Sequence, residues 1–203
     1  MNQLDINQQG KTLTLIDTDG SAVLYPEFLA EAEANAILHH CLTDLSWRSE
    51  TIMMFGKPVL QPRLTYLTGI AGRSYRYSGR TMQPEPLTPL LQQLTQRISD
   101  FCNVEFTTAL LNLYRNGNDS MGWHRDNERS LGDFPTIASV SLGASRIFKL
   151  RHATATYSPV TISLPHASML VMKGALQEHW YHCVPKQRGV QEPRVNITLR
   201  RIV

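Results

Sequence analysis

The chain has 203 residues and a formal net charge of +3, which makes it long enough for one folded domain and too short for two. Hydrophobic residues make up 42% of it and charged residues 18%, so a disordered, collagen-like or disulfide-scaffold protein is excluded. No apolar run approaches the ~18 residues of a membrane span, and the first residues contain no apolar signal segment. We therefore expect one domain, residues 1–203, that is neither secreted nor bound to a membrane.

Three cysteines are scattered along the chain, at Cys41, Cys102 and Cys183. An odd, widely spaced set does not form a disulfide framework and is typical of free thiols in a reducing compartment. This pattern predicts an intracellular protein, cytoplasmic in a bacterium or nuclear in a eukaryotic cell.

Charge is distributed unevenly along the sequence. Residues 1–47 carry a net charge of −6, whereas residues 48–101 carry +4 and residues 151–203 carry +5. If the basic segments form one surface, that surface attracts a polyanion such as nucleic acid. A basic surface that meets only solvent explains the same counts, so charge alone leaves both interpretations open.

Two segments in the first half of the chain have helical periodicity. Residues 26–42 place apolar side chains at helical spacing, with Pro26 and Glu27 suited to the first turn. Residues 86–101 carry one apolar stripe opposite polar side chains, which predicts a helix packed on a sheet. The apolar positions of the two segments are Phe28, Leu29, Ala32, Ala36 and Ile37, followed by Leu87, Leu90, Leu91, Leu94, Ile98 and Phe101.

The segment between these helices contains Phe55-Gly56-Lys57 between two apolar stretches, which is typical of a hairpin tip. Apolar side chains that are exposed at a tip mark a contact site, whereas side chains that fold back join the core. Both interpretations of the tip remain open at this point.

Almost everything after Asn103 consists of short β-type segments separated by Gly, Pro, Asn and Asp. Short strands at this spacing predict a sandwich or a barrel. The predicted strands are residues 106–115, 136–142, 146–150, 160–164, 168–173 and 193–203.

Candidate metal ligands occur in two places. If residues 123–126 are extended, His124 and Asp126 point to the same face of a strand. A third ligand is available downstream, where His179 and His182 flank Trp180-Tyr181. Two histidines and a carboxylate suit the open iron site of Fe(II) oxygenases, and with a bound water they also suit zinc. Structural histidines without a metal are the third interpretation.

The final strand favours the iron interpretation. Residues 194–200 alternate strictly, with valine, isoleucine and leucine on one face and Arg194, Asn196, Thr198 and Arg200 on the other. Two guanidinium groups that frame an amide and a hydroxyl form a site for two carboxylates. Asn112 and Tyr114 lie on one face of an earlier strand in the same way.

Taken in order, the motifs of this chain resemble those of the AlkB-like Fe(II) and 2-oxoglutarate dependent dioxygenases, and the vertebrate-type DNA repair members more than the bacterial prototype. The resemblance covers residues 55–203, and its ordered set of motifs is highly specific although each motif alone is common. The matching motifs are Phe55-Gly56-Lys57, Tyr75-Arg76-Tyr77-Ser78-Gly79, Asn112-Leu113-Tyr114, residues 124–129, residues 138–143, residues 179–182 and residues 193–200.

The resemblance implies a mainly β protein with some α-helix, built on a double-stranded β-helix, or jelly roll. Residues 1–102 would supply N-terminal helices and the nucleotide-recognition region with its hairpin, and residues 103–203 the jelly-roll catalytic core. The implied cofactors are Fe(II), 2-oxoglutarate and O2. The iron ligands would be His124, Asp126 and His182, which leaves His179 without a ligand role.

The same resemblance assigns the cosubstrate residues. Arg194 with Tyr114 would hold the distal carboxylate of 2-oxoglutarate, and Arg200 with Asn112 the end beside the metal. The other two polar residues of the last strand, Asn196 and Thr198, are expected to line the same site.

The implied activity is oxidative demethylation of 1-methyladenine and 3-methylcytosine in DNA, releasing formaldehyde, succinate and CO2, and the resemblance leaves RNA open as a second substrate. The partner would be methylated DNA, duplex or single-stranded, and the protein a monomer. Two alternatives remain: a 2-oxoglutarate dioxygenase that acts on protein or a small molecule, and a non-catalytic nucleic-acid binder with the same fold.

The target base must leave the stack to reach the iron, so a base pocket and a DNA-contacting finger are also implied. Glu128 matches the acid that reads a cationic methylated base, and Asn127 stands where the similar relatives have a second acid. The remaining pocket residues are Tyr75, Tyr77 and Ser78, and the finger residues are Met54, Phe55, Gly56, Lys57 and Arg63.

Overall fold

The computed structural model describes residues 12–54, 57–70, 75–77, 80–82 and 84–203, with the backbone alone at 52–54, 75–77 and 80–82. The strands are β1 Leu13–Ile16, β2 Ser21–Tyr25, β3 Arg48–Met54, β4 Lys57–Gly69, β5 Tyr75–Tyr77, β6 Arg80–Met82, β7 Glu85–Pro86, β8 Thr108–Tyr114, β9 Met121–His124, β10 Ile137–Gly143, β11 Arg146–His152, β12 Val160–Leu164, β13 Ser168–Lys173, β14 Trp180–Val184 and β15 Arg194–Arg200. The helices are α1 Glu31–Thr43, α2 Pro89–Cys102 and α3 Leu176–His179, with a short 3-10 turn at Arg129–Leu131.

Two antiparallel sheets make up the body of the protein. The large sheet has the order β1-β2-β13-β10-β15-β8-β4-β3, with β7 added parallel to β4. The small sheet has the order β12-β11-β14-β9, and β5 pairs with β6 separately. From β9 onward each strand is followed by a strand of the other sheet, except that β11 and β12 pair as a hairpin within the small sheet. This connectivity is expected of a jelly roll.

The hydrophobic core has two parts, one on each face of the large sheet. On its outer face the helices pack with Ile37 of α1 and Leu94 of α2 against Val195, Ile197 and Leu199 of β15, all of them buried. A second apolar cluster lies between the two sheets. Because successive residues of a strand face opposite ways, the polar residues of β15 point into the space between the sheets.

The helix predicted at residues 26–42 is present but begins later, at Glu31. Pro26 and Glu27 lie in a turn before it, so their predicted place in the first helical turn is wrong. The helix also buries a different face from the predicted one, since Ala32 and Ala36 of the predicted apolar face are exposed. The buried side chains of the helix are Ala34, Ile37 and Cys41.

The second predicted helix is close to the observed α2, Pro89–Cys102. It starts where the Thr88 side chain accepts a hydrogen bond from the backbone N–H of Leu91, with Pro89 at the first helical position. It ends at Asn103, whose left-handed backbone (φ 52°) stops the helix. Leu91, Leu94 and Ile98 are buried as predicted, while Phe101 is 49% exposed.

The N-terminal half also supplies strands that the sequence did not suggest. β1 and β2 form a hairpin whose second strand pairs with β13, and β4 pairs with β8. The large sheet therefore contains strands from both sides of the predicted division at residues 102 and 103. An Asp-Gly pair at positions 19 and 20 is a hairpin signal that could have revealed the first two strands.

The three cysteines are free thiols, as predicted. Among the described residues, the helices are too short or too polar to cross a bilayer.

Candidate metal centre

Two histidines face each other across neighbouring strands of the small sheet. His124 is the last residue of β9, and His182 lies directly opposite it on β14. Their ring centroids are 4.2 Å apart. Asp126 follows two residues after β9 ends, and its Oδ1 lies 3.8 Å from Nε2 of His124. One ligand atom from each of the three side chains lies within 4.8 Å of the others, so the three can share a metal ion.

The orientation of His124 is fixed by its own strand. Nδ1 of the ring is 2.9 Å from the carbonyl oxygen of Gly122. A carbonyl can only accept, so Nδ1 carries the proton and Nε2 keeps its lone pair. Burial lowers the pKa of His124, which favours this neutral form. The ring thus presents a metal-binding nitrogen toward Asp126.

His182 is buried among apolar groups, with the ring of Phe148 stacked on it at 5.5 Å. Burial, followed by the charge of His124, lowers the pKa of His182 to about 3, and the imidazole is neutral at pH 7. A neutral imidazole is the form that binds metal. Its Nδ1 is buried and has no hydrogen-bond partner within the described part of the chain.

Asp126 is held in its ionised form by a buried arginine. Burial of the carboxyl opposes ionisation, but the charge of Arg200, with smaller contributions from the two histidines, outweighs it and lowers the pKa of Asp126 to about 2. Nη2 of Arg200 donates to Oδ2 at 2.9 Å, which leaves Oδ1 toward His124. Arg200, expected at 2-oxoglutarate, therefore contacts the carboxylate ligand in this structure.

Gln177 is a site residue that sequence reasoning missed. Its Oε1 accepts the backbone N–H of Asp126 at 3.0 Å, and the side chain is 2% exposed. The contact joins residues 51 positions apart, so no local pattern reveals it. Gln177 positions the loop that carries the carboxylate.

Arg194 is a buried cation without a carboxylate partner in the described part of the protein. It is 1% exposed, and its Nη2 donates to Oγ of Ser141 at 2.8 Å. Its guanidinium lies 5.2 Å from the ring centroid of Tyr114. Nε and Nη1 are buried and lack hydrogen-bond partners among the described residues. Burial lowers the pKa of Arg194 to about 10, which still leaves it charged at pH 7.

A buried charge is costly unless an anion pairs with it, so the surroundings of Arg194 fit a bound carboxylate. The other polar side chains of β15 are already engaged. Nδ2 of Asn196 donates to Ser139 and to the carbonyl of Val140, and Thr198 donates to Oδ1 of Asn196. Arg194 differs from Asn196 and Thr198 because two of its buried donors, Nε and Nη1, have no hydrogen-bond partner among the described residues.

The resemblance assigned Arg63 to the DNA finger, but the structure buries this side chain inside the protein. The side chain is 3% exposed, and its Nε donates to Oδ1 of Asn112 at 2.7 Å. This contact orients the amide of Asn112, whose side chain lines the same cavity as His124 and His182. A basic residue between a proline and a leucine gave no sign of this long-range pairing.

The predicted base-pocket and finger residues are described only in part. Asn127 is exposed and Glu128 half-buried, both just beyond Asp126, and Lys57 is exposed. The pairing of β3 with β4 ends at Met54 opposite Lys57, consistent with a hairpin. The side chains of Met54, Tyr75 and Tyr77, and all of Phe55, Gly56 and Ser78, lie outside the described residues.

Similarity to known proteins agrees with this geometry. A family model described as the 2OG-Fe(II) oxygenase superfamily matches residues 21–200. The human alpha-ketoglutarate-dependent dioxygenase alkB homolog 3 is 42% identical over 188 residues, covering 88% of this chain and 65% of that protein. The chain thus spans about 65% of the length of this relative.

A second group of relatives is matched over more of its length. The DNA oxidative demethylase ALKBH2 of Homo sapiens is 35% identical over 93% of this chain and 76% of its own length. That of Mus musculus is 34% identical over 91% of this chain and 82% of its own length.

The fold is shared with a solved structure. The structure of OsALKBH1 superimposes with a TM-score of 0.63 at 16% identity, covering 89% of this chain and 96% of that one. This likeness confirms the expected mainly β, jelly-roll fold. With the family match over residues 21–200 and the identities above, it follows that the chain is an AlkB-like member of the 2OG-Fe(II) oxygenase superfamily, whose cofactors are Fe(II), 2-oxoglutarate and O2.

Proposed function

We propose that this protein is an oxidative demethylase of alkylated nucleobases, acting on 1-methyladenine and 3-methylcytosine in DNA and also in RNA. The observation that carries the proposal is the cluster of His124, Asp126 and His182 between the sheets, which shares its cavity with the polar face of β15. The names of the ALKBH2 relatives, DNA oxidative demethylases, support the reaction and the substrate class.

The residues present fit the two cofactors of the family. His124, Asp126 and His182 would hold the ferrous ion, because they supply two neutral imidazoles and one ionised carboxylate. Arg194 would hold a carboxylate of 2-oxoglutarate, since its buried Nε and Nη1 have no partner in the described residues. When bound, the two cofactors supply the activation of O2 that oxidises a methyl group, with succinate, CO2 and formaldehyde as products.

The chain itself prepares this site in three ways. Gly122 keeps the proton of His124 on Nδ1, so that Nε2 is ready to bind metal without rearrangement. Arg200 holds the carboxylate of Asp126 in the ionised form, and Gln177 holds the backbone next to it. The apolar wall that includes Phe148 keeps water away from His182.

The substrate proposal draws support from a basic and aromatic surface beside the metal centre. On the outer side of the small sheet, the guanidinium of Arg151 lies 4.4 Å from the ring centroid of Trp123, and that of Arg125 lies 4.5 Å from that of Tyr181. Trp123 is 39% exposed. Stacked aromatic and guanidinium groups are suited to single-stranded nucleic acid. Glu128, just beyond the metal ligands, would favour a cationic methylated base.

The test is a single-turnover reaction with a defined substrate. Protein loaded without oxygen with Fe(II), 2-oxoglutarate and a 3-methylcytosine oligonucleotide is exposed to air, and formaldehyde and unmethylated cytosine are measured. Both products are expected, and neither is expected from His124→Ala. Absence of both products from the parent protein would refute the proposal.

The same reaction distinguishes the demethylase from two alternatives, a dioxygenase that acts on protein or a small molecule and a non-catalytic nucleic-acid binder. Turnover of 2-oxoglutarate with protein or small-molecule substrates, and none with methylated DNA or RNA, would indicate a dioxygenase of another substrate class. DNA binding that is equal in the parent and in His124→Ala, with no turnover of 2-oxoglutarate by either, would indicate a non-catalytic binder.

A further inference from the structure

A second group of two histidines and one carboxylate lies outside the metal centre described above. It consists of Asp19 in the turn between β1 and β2, His152 at the end of β11 and His179 at the end of α3. One ligand atom from each lies within 4.8 Å of the others. None of the three has a role in the proposed demethylation.

Backbone and side-chain contacts hold the three segments together. Asp19 has a left-handed backbone (φ 55°) and Gly20 follows it with φ 123°. A Cβ at Gly20 would come within 2.4 Å of the backbone nitrogen of Leu176, so only glycine lets the turn sit against the start of α3. The turn that carries Asp19 is therefore fixed beside the helix that carries His179.

Two hydrogen bonds strengthen this arrangement. The indole Nε1 of Trp180 donates to the carbonyl of Thr18 at 3.1 Å, which joins β14 to the turn. The backbone N–H of Ala153 donates to the carbonyl of His179 at 2.7 Å, which joins the end of β11 to α3. The cluster is thus built from three separate segments of the chain, each held in place by contacts outside the cluster.

His152 provides the observation that points to a ligand. Its side chain is 5% exposed, and its Nε2 lies 3.3 Å from Oδ2 of Asp19. Yet Nε2 is buried and makes no hydrogen bond in the described part of the chain, because the two groups are not aligned for one. On the other side of the ring, Nδ1 is 2.9 Å from Oγ1 of Thr154.

This geometry matches a metal ligand better than a simple ion pair. Two ligands on a tetrahedral ion with bonds of about 2.0 Å are separated by roughly 3.3 Å. A ligating histidine usually donates its other ring N–H, and Oγ1 of Thr154 is close enough to Nδ1 to accept that proton, nearer than the backbone nitrogen of Thr154 at 3.4 Å. A buried imidazole nitrogen without a partner otherwise carries an energetic penalty.

The outer side of the cluster is open to solvent. The side chains of Asp19 and His179 are 39% and 44% exposed, which leaves room for a water ligand. Oε2 of Glu178 lies 4.0 Å from Nε2 of His179 and adds negative charge beside it. The rings of His152 and His179 are parallel within 7°, and their centroids are 5.9 Å apart. Because the side chain of His179 is the more exposed of the two, its ring can rotate toward a bound ion.

We infer that Asp19, His152 and His179 form a second metal site, of the kind that binds Zn²⁺ with three protein ligands and one water. The nitrogen and carboxylate donors suit zinc, and the site stands apart from the cosubstrate residues around Arg194. A bound ion would fasten the β1–β2 turn to α3, which leads directly into the strand that carries His182. Since binding to the folded state stabilises it, zinc is expected to raise the unfolding temperature.

Metal stoichiometry tests the inference. Metal-free protein is equilibrated with Zn²⁺ by dialysis, and the bound metal is counted by elemental analysis. Two ions per chain are expected for the parent, one for Asp19→Asn, one for His179→Ala and one for His182→Ala, which removes a ligand of the first site. Asp17→Asn, a neighbouring exposed carboxylate in the same turn, serves as the matched control and should keep two.

Thermal unfolding gives an independent measurement. In the His182→Ala background, Zn²⁺ should raise the unfolding temperature, and adding Asp19→Asn should abolish that rise. Both Asp19 and His179 are partly exposed, so these substitutions leave the core intact. One ion in the parent, or unchanged binding in both Asp19→Asn and His179→Ala, would overturn the inference whether or not the demethylase proposal holds.

Discussion

The two clusters of histidine and aspartate in this protein use the same residue types in different surroundings. In the first, His182 and Asp126 are buried between the sheets, and Arg200 pairs with the carboxylate. In the second, Asp19 lies at the surface and no arginine ion pair to it is present within the described residues. Ligand identity alone therefore does not define a redox site. Under our two proposals, the buried arginines would distinguish the site for iron and a keto acid from the site for a metal alone.

The largest expected difference between the clusters is in turnover. Asp126→Ala removes a ligand and the carboxylate that pairs with buried Arg200, so turnover of 2-oxoglutarate should fall by more than about 100-fold. Asp19→Ala should leave turnover within about twofold of the parent value, because Asp19 contacts neither the three proposed iron ligands nor the cosubstrate residues. Steady-state assays of the two variants provide the comparison, and similar losses in both would contradict it.

Replacement of the buried Arg194 should weaken the binding of 2-oxoglutarate. Arg194→Ala is expected to raise the KM for 2-oxoglutarate by about 100-fold, since a buried charge-assisted contact to a carboxylate is lost. Arg194→Lys keeps the charge without the guanidinium geometry and should raise KM by less. An unchanged KM in both variants, measured on protein with native circular dichroism, would remove Arg194 from the cosubstrate site.

A smaller effect is expected from Gln177, the positioning residue next to Asp126. Gln177→Leu keeps the volume but removes the acceptor for the backbone N–H of Asp126, so Fe(II) affinity should fall by about 10-fold. Gln177→Glu supplies an acceptor again and should restore part of the affinity. Equal affinity for Fe(II) in the parent and in Gln177→Leu would show that the contact does not position the ligand.

The smallest effect concerns pH and the metal-free protein. The pKa of His182 is about 3 in the folded state and 6.5 in a model peptide, so between these values the unfolded chain binds a proton that the folded chain does not. The free energy of unfolding should therefore fall as pH drops below about 6.5. Denaturant titrations at several pH values should show that the free energy of unfolding falls less with decreasing pH in His182→Asn than in the parent. The same pH dependence in both proteins would contradict a pKa of His182 lowered by burial.

The sequence predicted those parts of the site that lie within single strands. The alternation at residues 194–200 correctly separated the buried polar face from the apolar face, because one strand carries both. The jelly-roll class followed from the resemblance of the ordered motifs. Long-range pairings were missed, such as Arg63 with Asn112 and Gln177 with Asp126, since each joins residues about 50 positions apart.

The mispredicted start of α1 and the missed strands β1 and β2 also have physical explanations. The apolar residues Phe28 and Leu29 precede α1 and pack beside it, which extended the apparent periodicity beyond the helix. Strands β1 and β2 are only four and five residues long, too short for a clear alternating pattern. The second cluster draws Asp19, His152 and His179 from three distant segments and has no signature in the sequence.

We propose that one ferrous ion is held by His124, Asp126 and His182, whose ligand atoms lie close together, with 2-oxoglutarate bound beside it. Visible absorption of the oxygen-free protein tests it most directly, because a keto acid that chelates ferrous iron gives a charge-transfer band. We expect the band in the parent protein and in Asp19→Asn after addition of Fe(II) and 2-oxoglutarate, and its loss in His182→Ala. No band in the parent, or an undiminished band in His182→Ala, would contradict the claim.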